Sequence, residues 1–332
     1  MKAVVLVGGF GTRLRPLTLS TPKQMLPVVH RPMIERVIEH LGRHGVDTAI
    51  LSLGYRPDAF IDAYPEGLCA GVELRYAVEP EPLDTAGAIR FAALAGGVSE
   101  RFLVVNGDVL TDLDVGALIS HHDRSGAEGT IALHEVEDPS AFGVVPTGED
   151  GRVLAFIEKP PRHEAPTNLI NAGTYVLEPS VIDRIAPDQK VNVERVTFPA
   201  MVADGRLYAL DGKTYWIDAG TPDTYLAANL DLVSGVRGPA EDGIHPTSVV
   251  VGSVTRSVVG AGARVEAGAE VSGSVLLAGA VVGAGATVRS SIVGPGAQVG
   301  AHATVDGSVI GDRMALEAGT SVAGERVPQE AR

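Results

Sequence analysis

Short apolar runs alternate with stretches of helical period through the first 234 residues of the chain. Runs at 4–7, 48–53, 102–105 and 130–133 are β-branched or aliphatic, whereas the apolar residues of 33–44 recur on one helical face. This alternation predicts an α/β domain over residues 1–234, with a Rossmann-like, mostly parallel sheet that carries helices on both faces. Binding residues are expected beyond the carboxyl ends of its strands.

After residue 235 the pattern changes to small residues with an aliphatic residue at nearly every sixth position. The spacing follows a repeated 6+6+5 step, and its twelve positions are Val259, Val265, Val271, Leu276, Val282, Val288, Val293, Val299, Val305, Ile310, Leu316 and Val322. A fixed short period with Gly and Ala between is typical of a solenoid. We therefore expect a left-handed parallel β-helix over residues 251–325, after a linker at 235–250. Its expected role is homo-oligomer assembly; acyl transfer through His245 or His302 is the alternative for this domain.

Composition narrows the classes of function. The formal net charge of −14 over 332 residues argues against broad nucleic-acid contact but permits a local basic patch for a triphosphate. A single cysteine, Cys69, rules out an intrachain disulfide and a multi-cysteine metal site. No apolar run approaches membrane-spanning length and no leader pattern precedes the first strand, so a cytoplasmic protein is expected.

The strongest candidate for chemistry is the glycine-rich segment 8–18, which follows the first predicted strand. Glycines allow backbone amides to approach phosphates, and Arg13, Arg15 and the nearby Lys23 supply cations. The segment is neither a dinucleotide fingerprint, because Leu14 stands at the third glycine position, nor a Walker loop. It predicts a site for several phosphates.

Residues 8–27, which contain this segment and Lys23, resemble the signature of the sugar-1-phosphate nucleotidyltransferase (NDP-sugar pyrophosphorylase) family, and further motifs of that family follow in order along the chain. The motifs are Glu-Pro-Leu-Asp-Thr-Ala-Gly at 81–87, Asn-Gly-Asp at 106–108, Phe-Gly-Val-Val at 142–145, Glu-Lys-Pro at 158–160, Asn-Ala-Gly at 171–173 and Trp-Ile-Asp-Ala-Gly-Thr-Pro at 216–222. An appended β-helix also occurs in that family. Two strings, 194–199 and 215–218, most resemble its mannose-1-phosphate guanylyltransferase branch.

The resemblance implies Mg²⁺-dependent transfer of a nucleotidyl group to a sugar 1-phosphate, with release of pyrophosphate. It implies that Arg13 and Lys23 are catalytic, and that Asp108 and Asp218 are catalytic magnesium ligands. The implied nucleotide contacts are Leu6, Gly8, Gly9, Gly11, Thr12, Arg13, Lys23, Glu79, Asp84 and Gly87. The implied sugar-phosphate contacts are Gly143, Glu158, Lys159, Asn171 and Gly173.

The base and the sugar rest on fewer residues. Glu79 can accept the two donors of a guanine edge, which favours GTP with mannose 1-phosphate. Asp84 stands where the family usually has glycine, and Gln24 follows Lys23 as in thymidylyltransferases. A glucose-1-phosphate thymidylyltransferase or uridylyltransferase therefore stays open as an alternative. So does a non-catalytic regulatory homologue, although such a protein is expected to have lost phosphate and metal residues that this chain keeps.

Overall fold

The computed structural model describes residues 1–328, and strands alternate with helices up to residue 233. The strands of this part are β1 (Lys2–Leu6), β2 (Pro27–Val28), β3 (Arg31–Pro32), β4 (Thr48–Leu53), β5 (Leu68–Cys69), β6 (Val72–Val78), β7 (Phe102–Asn106), β8 (Val109–Thr111), β9 (Gly129–Glu135), β10 (Gly143–Val144), β11 (Ile157–Glu158), β12 (Leu169–Leu177), β13 (Leu207–Asp211) and β14 (Trp216–Asp218). The helices are α1 (Met33–Arg43), α2 (Asp58–Ala63), α3 (Asp84–Ala95), α4 (Val115–Ser125), α5 (Ser180–Asp183), α6 (Phe198–Ala203) and α7 (Pro222–Val233).

By their contacts the residues form two compact units, which are described separately. The first unit comprises Met1–Gly9 and Ile34–Trp216. The second comprises Phe10–Met33 and the chain from Ile217 onward. The glycine-rich segment is thus divided, because Gly8 and Gly9 belong to the first unit whereas Gly11 to Lys23 belong to the second.

The first unit is built on one sheet in the order β11-β10-β12-β7-β1-β4-β6-β5, with β9 beside β12 and β13 beside β9. Strands β7, β1, β4 and β6 pair in parallel, and β13 pairs in parallel with β9. Strands β10, β11, β12 and β5 join the sheet by antiparallel pairing. The structure confirms the predicted Rossmann-like α/β fold, and the antiparallel strands flank its parallel centre.

Helices cover this sheet and bury its aliphatic strands. Helix α3 packs against β1, β4 and β6, and α4 packs against β9, β12 and β13. Ile50, Ile89, Phe102 and Phe198 are among the core side chains with at most 1% exposure. Full burial of a side chain of this kind contributes roughly 1.5–3 kcal/mol. In the part of the chain that the structure describes, no helix is both long and apolar enough to cross a bilayer.

The second unit contains three parallel sheets of five strands each, the arrangement of a left-handed parallel β-helix. Their strands are β15 (Val249–Val250), β16 (Ser253–Thr255), β17 (Val258–Val259), β18 (Arg264–Val265), β19 (Glu270–Ser272), β20 (Val275–Leu276), β21 (Val281–Val282), β22 (Thr287–Arg289), β23 (Ile292–Val293), β24 (Gln298–Val299), β25 (Thr304–Asp306), β26 (Val309–Ile310), β27 (Ala315–Leu316), β28 (Ser321–Ala323) and β29 (Arg326–Val327). Val259 of one coil is in register with Leu276 of the next, and Leu276 with Val293, a step of 17 residues. The twelve predicted aliphatic positions line the interior; eleven are buried and Leu316 is partly buried. The predicted 6+6+5 step is thereby confirmed.

The corners of the coils explain why one step in three is shorter. Two corners are filled by stacked alanines: Ala263, Ala280 and Ala297 in one column, and Ala269, Ala286 and Ala303 in the other. The third corner carries buried serines at Ser257, Ser274, Ser291 and Ser308. Ser274 Oγ donates to Ser272 O at 2.8 Å and accepts from Ser291 N at 3.1 Å. Each serine thus bonds the backbone of the next coil, and this ladder satisfies buried N–H groups at the tight corner.

Candidate active site

The carboxyl ends of three parallel strands bring several predicted residues together in the first unit. Leu6 at the end of β1 is in register with Asn106 of β7 and with Ser52 of β4. Gly107 N donates to Leu6 O at 3.0 Å. Asp108 lies in the turn directly after β7 and is 8% exposed. The edge predicted to bind substrate therefore carries Leu6 and Asp108 side by side along the sheet.

Glu79, after β6, occupies the same edge and is held by protein donors. Ser52 Oγ donates to Glu79 Oε1 at 2.9 Å, and Leu83 N donates to Oε2 at 3.0 Å. A Cβ placed on Gly8 would lie 3.2 Å from Glu79 Oε1, so the absence of a side chain at Gly8 leaves room for this carboxylate. Glu79 therefore folds the segment that precedes α3, in addition to its predicted contact with a base. Ser52 lies on a buried strand, where sequence periodicity indicates only a core residue.

Asp84, which departs from the usual glycine of the family, keeps a backbone angle typical of glycine. Its φ is 58°, in the left-handed region. Its carboxylate accepts from Thr85 N at 2.7 Å and from Asn192 Nδ2 at 3.1 Å. Aspartate tolerates this conformation better than most residues because its short polar side chain bonds the local backbone. One helical turn later, a Cβ on Gly87 would lie 2.8 Å from Gln189 O, so glycine is required there.

Gly143, Glu158 and Lys159 form one side of the predicted sugar-phosphate subsite. Gly143 of β10 is in register with Glu158 of β11, and a Cβ on Gly143 would lie 3.3 Å from Glu158 Oε2. Lys159 Nζ lies 3.3 Å from Glu158 Oε1, and the lysine side chain is 59% exposed. Lys159 has a φ of 50°, a strained angle of the kind that is often found at functional sites. The lysine ammonium is thereby positioned where it can reach a ligand from solvent.

Asn171 and Gly173 lie in an irregularity of β12, whose register with β9 shifts between Asn171 and Tyr175. Gly173 N donates to Asn171 Oδ1 at 3.0 Å, and Asn171 Nδ2 donates to Tyr175 Oη at 2.9 Å and to Glu194 Oε1 at 2.7 Å. Gly173 has a φ of 74°, and a Cβ there would lie 2.5 Å from Asn106 Nδ2. The irregularity thus places Gly173, a predicted sugar-phosphate contact, directly against Asn106 at the start of the loop of Asp108.

Two further residues of this region were not predicted as site residues. Trp216 Nε1 donates to Ala172 O at 2.9 Å and so holds the irregular part of β12. Glu194 is half-buried, and its pKa is raised by desolvation and by the negative charge of Glu158. In the sequence Glu194 belongs only to a string that resembles the guanylyltransferase branch, and nothing in its spacing connects it with Asn171.

In the second unit the signature loop closes on itself around Gly11. Gly11 has a φ of 62°, and its carbonyl accepts from Thr18 Oγ1 at 2.7 Å and from Leu14 N at 3.0 Å. A Cβ on Gly11 would lie 3.3 Å from Lys23 Cβ. The turn Thr12–Leu14 and the turn Lys23–Met25 are both single 3-10 turns. Gly11 therefore lies directly beside Lys23 and immediately before the turn that carries Thr12 and Arg13.

Arg13 also lies beside Asp218 in the second unit. Arg13 Nη2 is 3.6 Å from Asp218 Oδ2, and the two side chains are 60% and 24% exposed. A Cβ on Gly220 would come within 2.6 Å of Arg13 Nη2 and 2.7 Å of Asp218 Oδ1. Gly220 therefore permits the close approach of a cation and a carboxylate that both carry predicted catalytic roles.

The same loop rests on the last coils of the β-helix. Arg326 Nη1 donates to Arg15 O at 3.2 Å. Ser20 Oγ donates to the carboxylate of Asp312. The loop that carries Arg13 is thus anchored at two points on coils that are more than 290 residues away in sequence.

The predicted site residues fall into two groups. The first unit carries Leu6, Gly8, Gly9, Glu79, Asp84, Gly87, Asp108, Gly143, Glu158, Lys159, Asn171 and Gly173. The second unit carries Gly11, Thr12, Arg13, Lys23 and Asp218. In each group the contacts above connect residues that are distant in sequence.

Comparison with known proteins agrees with this geometry. The model of the nucleotidyl transferase family matches residues 2–235. The chain belongs to that family. A second model, the GMPPB C-terminal domain, matches residues 241–330. The protein is therefore a nucleotidyltransferase with an appended β-helix.

Its relatives include the mannose-1-phosphate guanylyltransferase of Mycobacterium tuberculosis, which is 41% identical over 287 residues, 82% of this chain and 78% of that protein. The mannose-1-phosphate guanyltransferase of Schizosaccharomyces pombe is 40% identical over 262 residues, 76% of this chain and 70% of that protein. Among solved structures, HddC from Yersinia pseudotuberculosis is 32% identical with a TM-score of 0.60, and covers 69% of this chain and 97% of that one. A second HddC structure, complexed with GMP-PN, is 30% identical with a TM-score of 0.57 and has the same coverage.

The left-handed angle of Asp84 gives a prediction for stability. Asp84→Gly and Asp84→Ala both remove the two hydrogen bonds of the carboxylate, but only alanine keeps the cost of a left-handed angle. We expect Asp84→Ala to unfold with a free energy about 1 kcal/mol lower than that of Asp84→Gly, measured by urea denaturation. Equal stability of the two variants would show that the angle of 58° is not maintained in solution.

Proposed function

We propose that the protein transfers the guanylyl group of GTP to mannose 1-phosphate, giving GDP-mannose and pyrophosphate. The observation that carries the proposal is the 41% identity, over 82% of this chain, with a protein named mannose-1-phosphate guanylyltransferase. A structure at 30% identity is complexed with GMP-PN, which also favours a guanine nucleotide. The carboxylate of Glu79 supports the choice of base, since its unused lone pairs can accept from a guanine edge while Ser52 and Leu83 hold it.

The chemistry needs positioned charge more than a proton shuttle. In the proposed reaction a phosphate oxygen of the sugar 1-phosphate attacks the α-phosphorus in line, and pyrophosphate leaves. Arg13 neutralises the leaving pyrophosphate and Lys23 the charge around the α-phosphate. Lys159 holds the phosphate of the sugar 1-phosphate, and Glu158 with Asn171 bonds the sugar hydroxyls.

Asp108 and Asp218 are the proposed magnesium ligands. Both offer hard carboxylate oxygens, and among residues 1–328 no cluster of three or more His, Cys, Asp or Glu side chains could hold a metal by itself. Two carboxylates fit Mg²⁺, which usually keeps several waters and takes substrate phosphates as further ligands. When held by Asp108 and Asp218, Mg²⁺ would supply positive charge that offsets the negative charge of the substrate phosphates.

The alternative substrates are dTTP or UTP with glucose 1-phosphate, suggested by Gln24. Gln24 is 1% exposed, so its side chain is buried. A buried side chain indicates a structural role for Gln24, which weakens its use as an argument for a pyrimidine nucleotide. Identity with the guanylyltransferases therefore decides our preference.

The first test is pyrophosphate release by the full chain across GTP, dTTP, UTP and ATP, each with mannose 1-phosphate and glucose 1-phosphate. We expect the highest kcat/KM for GTP with mannose 1-phosphate, and no product from mannose 6-phosphate, which lacks the attacking 1-phosphate. Arg13→Ala and Lys23→Ala test the proposed phosphate contacts. Each should lower the rate by about a hundredfold with every triphosphate, because the phosphates and not the base are their targets. A preference for dTTP or UTP would reject the guanine assignment and leave the reaction class in place.

The second test concerns the metal. Asp108→Asn and Asp218→Asn should each lower turnover by about a hundredfold at limiting Mg²⁺, because each removes one charged ligand. Asp62→Asn, at an exposed position, is the matched control and should keep the magnesium dependence of the wild type. If either site variant has the same magnesium titration as the control, that residue is not a ligand.

We further propose that the β-helix joins copies of the chain. Three consecutive valines at its start are exposed, with Val249 at 44%, Val250 at 37% and Val251 at 63%. Aliphatic surface of this kind is typical of interfaces, and symmetric dimers are the commonest assembly. The double substitution Val249→Glu, Val251→Glu should halve the mass measured by sedimentation, whereas Val236→Glu, at another exposed valine, should not. An unchanged mass for the double variant would place any interface elsewhere.

A further inference from the structure

Two carboxyl groups face each other in the proposed sugar subsite. Glu158 Oε2 is buried, and no N–H or hydroxyl group of residues 1–328 donates to it. Its neighbour is the carboxyl group of Glu194, with which it is within hydrogen-bonding reach. Glu194 is anchored on its other side, because Asn171 Nδ2 donates to its Oε1 at 2.7 Å. Two ionised carboxylates at this distance would repel each other, whereas one proton between them makes a hydrogen bond.

The charged groups around the pair do not remove this repulsion. Lys159 Nζ lies 3.3 Å from Glu158 Oε1, but its side chain is 59% exposed and so is largely screened by solvent. The hydroxyl of Tyr175 is shared with Asn171, and burial raises the pKa of Tyr175, so it remains neutral. The carboxylate of Asp84, at the start of α3, is bonded to Asn192 and not to the pair. Arg195, next to Glu194 in the sequence, is exposed, so solvent screens its charge as well.

Burial and the charge of Glu158 together raise the pKa of Glu194 above its ordinary value of 4.5. A carboxyl group that is raised in this way holds its proton at a pH where most carboxylates have lost theirs.

We propose that Glu194 is a positioning residue for sugar-phosphate binding, which stays protonated and donates a hydrogen bond to Glu158. The inference rests on the proposed role of Glu158 as a ligand of the sugar hydroxyls. The pair then presents one negative charge instead of two, and Glu158 keeps a fixed direction. Both effects favour an incoming phosphate monoester, which is itself an anion.

The experiment compares Glu194→Gln with Glu194→Ala in steady-state kinetics of the full chain from about pH 6 to about pH 9. Glutamine can accept from Asn171 and donate to Glu158 at every pH, so it imitates the protonated acid. In the wild type, KM for the sugar 1-phosphate should rise with pH as Glu194 loses its proton. In Glu194→Gln that rise should disappear. In Glu194→Ala, KM should be raised about tenfold at every pH, because the donors and acceptors of the pair lose their partner.

KM for the triphosphate serves as an internal control, since a general loss of structure would raise it in parallel. Glu135→Gln, an exposed carboxyl at the end of β9, is the matched variant and should show the wild-type profile. The inference is overturned if Glu194→Gln raises KM as much as Glu194→Ala does. It is equally overturned if the wild type and Glu194→Gln share one pH profile.

A second readout needs no substrate and separates this inference from the proposed function. A folded-state pKa above the unfolded value stabilises the protein below about pH 4.5, and this contribution is lost as pH rises through the folded pKa. The unfolding free energy of the wild type relative to Glu194→Gln should therefore fall as pH rises above about 4.5 and passes through the folded pKa. If the panel of triphosphates and sugar phosphates yields no nucleotide sugar, the proposed function is rejected. The pH dependence of stability would still decide whether Glu194 holds a proton. If the difference in unfolding free energy stays constant as pH rises above about 4.5, Glu194 does not hold the proposed proton.

Discussion

Three adjacent parallel strands, β7, β1 and β4, end at the same level, because Leu6 is in register with Asn106 on one side and Ser52 on the other. Loops that leave such an edge must share one small space, since neighbouring strands lie only about 4.8 Å apart. Glu79 can therefore be held by Ser52 of the adjacent strand, and Gly173 can lie against Asn106. Each of these contacts requires that register, and a shift of one residue would turn Ser52 and Asn106 to the opposite face of the sheet.

The sequence was sufficient for features that depend on local periodicity or on a repeated step. The strand at 48–53 has the predicted bounds because all its side chains are buried and all except Ser52 are apolar or β-branched. The interior positions of the β-helix followed from the 6+6+5 step, because a stacked coil must repeat the same position for each face. The serine column recurs every 17 residues, but the sequence does not distinguish it. Small polar residues in a Gly-rich sequence resemble turn residues.

Features that arise from contacts between distant residues could not be predicted. Asn171 and Glu194 are 23 residues apart, and nothing in either neighbourhood indicates that an irregular strand and a helical turn will meet. The left-handed angle of Asp84 is of the same kind. Its motif shows a departure from glycine, but Thr85 and Asn192 bond the carboxylate and so allow the angle to persist. The resemblance predicts roles for residues of this region, and the structure shows which contacts keep those residues in place.

In the second unit the β-helix supports the glycine-rich loop at two points, in addition to its proposed role in assembly. Arg326 of β29 bonds Arg15, and Asp312, between β26 and β27, accepts from Ser20. These anchors lie in the last coils, so the solenoid must reach that length, with its register maintained by the alanine and serine columns, before they can form. A loop with three glycines among its first four positions would otherwise be costly to order, because glycine loses more backbone entropy than any other residue. The contacts with the stacked coils stabilise the ordered loop. Arg13 of that loop lies beside Asp218. Preorganised charge of this kind is what phosphoryl chemistry requires, so the repetitive domain contributes to the proposed reaction through the loop that it holds.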